Sequence, residues 1–272
     1  MLIERVADLI RDVAEKAIVP RFRSDGTTTF QQKELGEVVT EADVEAERLL
    51  ALGLASLKPD VPVIGEESCD GAALRSLYSS PPHTFWLVDP LDGTSNFAAG
   101  SQVYATMVAL VQLNEIILSW IYQPATTAMF VAEHGSGAFA NGQRIVAPEA
   151  TVDPSDIRGA ILTRFLEVPV RQLLMEKAAT LKEVLPGQRC SGFEYPMIAT
   201  GDQHFAMFWR ALPWDHAPGA LLLSEAGGAV CRLDGAQYRP CEDRRGLLAT
   251  TSPAAQQLLL SAIGDAFDDV GS

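Results

Sequence analysis

An α+β fold of two subdomains sharing one interface is what the sequence predicts, and three observations carry it. The N-terminal stretch has amphipathic helical periodicity, Tyr104 to about Ile145 reads as a meander of β-rich runs and turns, and beyond Asp156 strand-like runs alternate with helical ones. A chain of 272 residues can bury one large core or two smaller ones. The polar, proline-bearing stretch 148–156 is the expected boundary, which divides the chain into 1–150 and 151–272.

Taken in order, "MLIERVADLIRDVAEKAIVPRF" predicts a helix from Leu2 to about Arg21. A second helix opens at "TEADVEAERLLALGLASL", where Thr40 and Asp43 stand at capping-box spacing. "VPVIGEES" reads as a short buried strand ending in Gly65, Glu66 and Glu67. Phe85 to Val88 reads as the next strand, and Asp89-Pro90 is expected to stop it because proline has no N–H to donate to a ladder. The meander "YATMVALVQ", "EIILSWIYQP", "TAMFVAEHGSGAFANGQRI" has its corners at Asn114-Glu115, Pro124 and Asn141-Gly142. Past the boundary, "GAILTRF", "QRCSGF", "HFAMFWRALPWD" and "GLLATTS" read as strands. Between and after them, "VPVRQLLMEKAATLKEVL", "YPMIATG", "APGALLLSEAGG" and "PAAQQLLLSAIGDAF" read as helices.

Composition narrows the function classes. A formal charge of −14 with no basic run argues against a nucleic-acid groove and an anionic membrane surface, and no apolar run approaches the roughly 20 residues of a membrane span. The first helix is broken by Glu4, Arg5, Asp8 and Arg11, so it lacks a signal peptide's apolar core, and a cytoplasmic protein is expected. Cys69, Cys190, Cys231 and Cys241 are too scattered for a disulfide framework or a zinc site. An acidic protein that handles a small phosphate needs local compensation, which divalent cations supply.

Acids at element ends are the candidates for that role: Asp43 at a helix start, Glu66 after one strand, Asp89 and Asp92 after another, and Asp215 where a strand meets a helix. Hard cations such as Mg²⁺ take oxygen ligands at about 2.1 Å and leave positions for water and substrate phosphate.

"GEES", "WLVDPLDGTSNF" and "PWDHAPGALLLSEAGG", in this order and at these separations, resemble the signature motifs of the inositol monophosphatase family, Mg²⁺-dependent and lithium-sensitive phosphomonoesterases. "EVVTEAD" and "GSGAFANGQRI" extend the resemblance over nearly the whole chain. It implies a layered αβαβα sandwich of the inositol monophosphatase and fructose-1,6-bisphosphatase type, a homodimer, and two or three Mg²⁺ ions per active site. Glu66, Asp89 and the carbonyl of Leu91 would hold the first metal; Asp89, Asp92 and Asp215 the second; Glu66 and water a weaker third. Thr94, backed by Asp43, would position the attacking water, with Glu66 also in the catalytic set. Gly93 and the N–H groups of Thr94 and Ser95 would receive the phosphate at a helix N-terminus, Gly93 because a Cβ would obstruct that approach.

Substrate choice is where the chain departs from the animal inositol enzymes. Their inositol-binding glutamate falls on Phe208, followed by Trp209 and Arg210, and an aromatic ring cannot accept hydroxyl hydrogen bonds. "RCSGFEY" replaces their small-residue sugar site. Cys190, Ser191, Gly192 and Glu194, with Asp92, Phe208, Arg210 and Asp215, are therefore the candidate substrate residues, and Arg189 and Arg210 are candidate contacts to a substrate anion. His216 follows the metal aspartate and is expected to orient it, to touch substrate, or to sit satisfied and partly buried. The expected activity is hydrolysis of a small soluble phosphate monoester, with histidinol phosphate leading because Glu194 or the rings of Phe208 and Trp209 could meet its amine, and inositol or sugar phosphates behind it. The rival is a regulatory member of the same family that acts through a protein partner.

Overall fold

The computed structural model describes residues 1–32, 38–149 and 153–264. Residues 150–152 of the expected boundary, Glu37 of "EVVTEAD" and 265–267 of the last expected helix lie outside the described residues. Helix α1 (Leu2–Val13) continues through a π turn (Ala14–Ile18) and a 3-10 turn (Val19–Arg21), over the span that the periodicity predicts. A two-residue ladder, β1 (Gln31–Gln32) with β2 (Val38–Val39), leads to α2 (Glu41–Leu57). At its start the Thr40 hydroxyl accepts from Ala42 N–H, and Asp43 Oδ2 accepts from Thr40 N–H at 2.8 Å. The capping box therefore fixes the position of Asp43 as well as the helix end.

The first sheet has seven strands in the order β3 (Val63–Gly65), β4 (Thr84–Asp92), β5 (Ala105–Gln112), β6 (Glu115–Gln123), β7 (Ala128–Glu133), β8 (Gly137–Ala140) and β9 (Gln143–Ile145). Only β3 with β4 is parallel; the rest is an antiparallel meander. Its tight corners are Leu113-Asn114 (φ 53° and 60°) and Asn141-Gly142 (φ 49° and 79°), both left-handed as two-residue hairpins require. The first corner thus lies one residue earlier than expected. Two short helices flank β4: α3 (Gly71–Ser79) before it and α4 (Thr94–Ala98) after it.

Strand β4 does not stop at Asp89-Pro90. Pairing with β5 breaks between Asp89 and Asp92 and resumes at Asp92 opposite Ala105. Pro90 sits inside that irregularity, where its missing N–H is not needed, and its carbonyl accepts from the Thr106 hydroxyl at 2.9 Å. The irregularity turns Asp89 and Asp92 toward the same end of the sheet.

The second sheet has the order β11 (Glu183–Leu185), β10 (Arg158–Leu162), β12 (Phe205–Phe208), β14 (Leu247–Thr250), β13 (Ala229–Arg232), with helices α5 (Val168–Ala178), α6 (Ser191–Thr200) and α7 (Pro213–Glu225) between them in sequence and α8 (Pro253–Ile263) after the last. "QRCSGF" is not a strand. Helix α6 already begins at Ser191, with Cys190 at its cap, so its first N–H groups are free to meet partners from outside the helix.

Three apolar clusters stack these elements into five layers. Helices α1 and α2 pack on the outer face of the first sheet through Ile10, Leu50, Trp86 and Trp120. Helices α6 and α7 lie between the two sheets, where Tyr195, Ile198 and Leu222 meet Met107 and Ile121 on one side and Phe208 and Ala249 on the other. Helices α5 and α8 cover the far face of the second sheet through Leu174 and Leu259. The result is the expected αβαβα sandwich. All four cysteines are free, and among the described residues no helix is long and apolar enough to cross a membrane.

Candidate active site

Four element ends converge at one edge of the first sheet: the end of β3, the irregular end of β4, the start of α4 and the first turn of α7. Glu66 follows β3 and stays beside β4 through Glu66 N–H donating to Val88 C=O at 3.0 Å. Oxygen atoms of Glu66, Asp89 and Asp215 all lie within 4.8 Å of one another. Asp89 is 1% exposed, and its Oδ1 accepts Leu91 N–H at 3.0 Å, which closes the turn. A small cavity of about 100 Å³ is lined by these three acids together with Leu91, Asp92, Gly93, Thr94 and Ser95.

Asp92 shares the cavity but is not one of the trio. Its Oδ2 accepts Gly192 N–H at 2.6 Å, from the first turn of α6, and the Cys190 thiol at 3.1 Å. Cys190 and Gly192, expected at the substrate, thus hold an acid of the cluster; Cys190, Ser191, Phe208, Arg210 and Asp215 also line the larger neighbouring cavity. Gly93 has φ 84°, and a Cβ there would lie 2.8 Å from the carbonyl oxygen of Val103. Backbone conformation and this close approach each require the glycine. The Thr94 hydroxyl lies 2.9 Å from both Asp43 Oδ1 and Leu91 O, and it has one hydrogen to give.

Sequence reasoning missed Glu47. It lies one turn after Asp43 on α2, is 6% exposed, and accepts Glu67 N–H at 2.7 Å and Ser68 N–H at 2.9 Å, which clamps the loop that carries Glu66. Its i+4 spacing from Asp43 was the available signal. Gly65 makes room for it, since a Cβ there would fall 2.2 Å from the Glu47 carboxylate.

The cluster is electrostatically uncomfortable without a cation. Burial, then the charges of Glu66, Asp92, Asp215 and Asp43, hold Asp89 well above the ordinary carboxylate range. Burial and Asp215 push Asp92 up to about 7 against the opposing Gly192 hydrogen bond, and burial pushes Asp215 up to about 6 against the lowering effect of Arg210. Burial also raises Asp43. These acids therefore hold more protons in the folded than in the unfolded chain between the ordinary value of 3.8 and about 7, and the stability they contribute falls as pH rises through that window, while buried neutral His216 opposes them only below its ordinary value of 6.5. The metal-free protein is expected to lose roughly 5 to 10 °C of thermal midpoint between pH 5 and pH 8. Saturating Mg²⁺ should remove most of that loss. Differential scanning fluorimetry with and without chelator checks it, and a midpoint equal at both pH values without metal would contradict it.

Beside the small cavity lies a larger one of about 490 Å³, which shares Asp92, Arg164, Arg189, Arg210 and Asp215 with it. Phe208 lines it but is only 4% exposed, stacked on Tyr195 at 5.3 Å with its edge toward His216 at 4.7 Å. His216 is buried and satisfied: Nε2–H donates to the Arg210 carbonyl at 3.0 Å and Nδ1 accepts from the Tyr195 hydroxyl at 3.1 Å. Burial drives its pKa down to about 3, so it stays neutral. Glu194 corrects the expectation of a substrate contact. It is fully buried, lines neither cavity, and its carboxylate accepts Gln188 N–H and Gln203 Nε2–H. An acid at that position of α6 points into the core and pins the loop before the helix.

The sequence profile of the inositol monophosphatase family matches residues 2–266. A fructose-1,6-bisphosphatase/inositol-1-monophosphatase of Thermotoga maritima is 30% identical over 208 residues, 73% of each chain. A protein named Nus factor SuhB from Xylella fastidiosa is 26% identical over 253 residues, 87% of each chain. Among solved structures, an IMPase of Thermotoga maritima superposes with a TM-score of 0.81 at 23% identity over 97% of both chains, a likeness of fold. The class these comparisons define is that of the phosphoric monoester hydrolases. The chain belongs to the inositol monophosphatase family.

Proposed function

We propose that the chain hydrolyses a small soluble phosphate monoester by direct attack of water, with Mg²⁺ as cofactor and a homodimer as its working form. The observation that supports this most is the trio Glu66, Asp89 and Asp215, with oxygens within 4.8 Å of one another at the mouth of α4. The donor set fits a hard divalent cation: every donor is an oxygen, the carboxylates repel one another, and Arg210, 3.7 Å from Asp215, lowers the Asp215 pKa without cancelling its rise. Glu66, Asp89 and the Leu91 carbonyl would hold one ion; Asp89, Asp92 and Asp215 would hold a second. Bound there, such ions neutralise phosphate charge and make a water more acidic.

The chain's own groups do the rest. A Thr94 hydroxyl that donates to Asp43 keeps its lone pairs for a water's hydrogen, which orients that water. The backbone N–H groups of Thr94 and Ser95, beside Gly93 at the start of α4, would receive the phosphate oxygens, and Asp92, fixed by Gly192 and Cys190, would mark the border with the leaving-group side. The support that Glu194 lent to an amine-bearing substrate such as histidinol phosphate is withdrawn by its burial.

Phosphate release from a panel of monoesters is expected to require Mg²⁺, to stop with chelator, and to be inhibited by millimolar Li⁺; light scattering should give twice 29.3 kDa. The regulatory reading has one observation in its favour, the relative named as a Nus factor. No turnover on any monoester, together with recovery of transcription proteins by the tagged chain, would establish it over the enzyme.

A further inference from the structure

We propose that the larger cavity is a second anion subsite, so that the substrate is a phosphate monoester carrying another phosphoryl or carboxylate group, held by Arg171 and Arg189. The inference rests on the phosphatase reading for which end is hydrolysed. Its own basis is separate. The chain carries −14 overall and only 21 Lys and Arg, yet four arginines, Arg164, Arg171, Arg189 and Arg210, line this one cavity. Among the described residues its acids are Asp92 and Asp215, on the side assigned to cations, and no described lysine or glutamate lines it. Guanidinium groups are the side chains best matched to phosphate and carboxylate oxygens.

Two of the arginines are set up in ways that packing does not explain. Arg171, on α5, reaches the Leu166 carbonyl through one terminal nitrogen at 3.2 Å, while its Nε is buried with no partner. The Leu166 bond holds the guanidinium beside the cavity, and its second terminal nitrogen makes no hydrogen bond or ion pair among the described residues. Arg189 has φ 58°, a left-handed conformation that arginine rarely adopts, and among the described residues its guanidinium makes no hydrogen bond or ion pair. The loop that imposes this conformation is pinned from both sides. Asn96 Nδ2–H donates to the Gln188 carbonyl at 2.8 Å, and the buried Glu194 carboxylate accepts Gln188 N–H. Strain held by surrounding bonds, in a residue that lines both cavities, fits a positioning task.

Size agrees. The small cavity, about 100 Å³, suits one phosphate, and the adjoining 490 Å³ leaves room for a carbon skeleton and a second charged group. Phe165, with the guanidiniums of Arg164 and Arg210 over its ring at 5.1 and 4.8 Å, supplies an apolar floor. A cationic amine placed among four arginines would be repelled.

The test uses matched pairs at fixed Mg²⁺: fructose 1,6-bisphosphate against fructose 1-phosphate, adenosine 3′,5′-bisphosphate against adenosine 3′-phosphate, and 3-phosphoglycerate against glycerol 3-phosphate. At least one pair should favour the doubly charged member by about tenfold or more in kcat/KM, and which pair does so separates sugar, nucleotide and carboxylate sources. Arg171→Ala and Arg189→Ala should each bring that ratio toward one. The ratio is read within each variant, so a general loss of activity or stability does not imitate the result, and Arg189, being exposed, provides a variant that keeps the fold. Titration calorimetry on the same pairs gives the binding ratio whether or not turnover occurs. Tight binding of the doubly charged member without hydrolysis would overturn the phosphatase reading and leave this inference standing. Ratios near one for all three pairs, or a preference that survives both variants, would overturn the inference.

Discussion

Asp89→Asn is expected to lower phosphate release by at least about 10³-fold while the protein folds as before. The carboxylate lies in the trio with Glu66 and Asp215, and the bridging position proposed for it needs negative charge that an amide does not carry. Folding has no such need. Asparagine keeps an Oδ1 that can accept Leu91 N–H, so the irregular end of β4 can keep its shape, and the apolar neighbours Leu87, Val88 and Leu91 are untouched. Removing a buried charge that burial and four acidic neighbours disfavour should also raise the thermal midpoint of the metal-free protein at pH 8. Lost turnover with raised metal-free stability is a signature that general damage does not produce. Turnover within tenfold of the parent would show that the cluster is not the site of chemistry.

The second large effect concerns the water. Thr94→Ala is expected to lower kcat by about 10² to 10³-fold, the usual range for a lost proton-handling group, with KM and Mg²⁺ affinity changed only a few-fold. Thr94 touches Asp43 and the Leu91 carbonyl but contributes no carboxylate to the trio, so the split between kcat and metal affinity is what its geometry predicts. Thr94→Ser should recover most of the rate because the hydroxyl returns. Asp43→Asn should resemble Thr94→Ala, since Thr40 and Thr94 both donate to the carboxylate and its burial leaves no room for a substitute. A fall in Mg²⁺ affinity equal to the fall in kcat would place Thr94 in metal binding instead.

What the sequence made legible was local. The capping box at Thr40 and Asp43, the hairpin at Asn141-Gly142 and the helical span 2–21 all depend on residues within a few positions of one another, where spacing alone carries the information. Asp89 and Asp92 stood out for the same reason. The reading failed where partners come from far along the chain. A ladder needs an N–H, so Pro90 reads as a strand end, but the sheet skips that position through an irregularity in which the Pro90 carbonyl accepts the Thr106 hydroxyl. Glu47 clamps N–H groups 20 and 21 residues away; the partners of Glu194, Gln188 and Gln203, are only 6 and 9 residues off but stand on the loops either side of α6, which spacing does not reveal. Nothing in the spacing of Arg164, Arg171, Arg189 and Arg210 reveals that one cavity gathers them, since each of the three intervals crosses from one element to the next.

Manganese, as a Mg²⁺ substitute visible by anomalous scattering, tests the central claim most directly. Crystals grown with phosphate and Mn²⁺ at a concentration that sustains turnover should show an anomalous peak between Glu66, Asp89 and Asp215, at about 2.2 Å from the carboxylate oxygens, with phosphate against the N-terminus of α4. The same crystals of Asp89→Asn should lack it. A cluster without manganese in protein that is turning over substrate at that concentration would contradict the account.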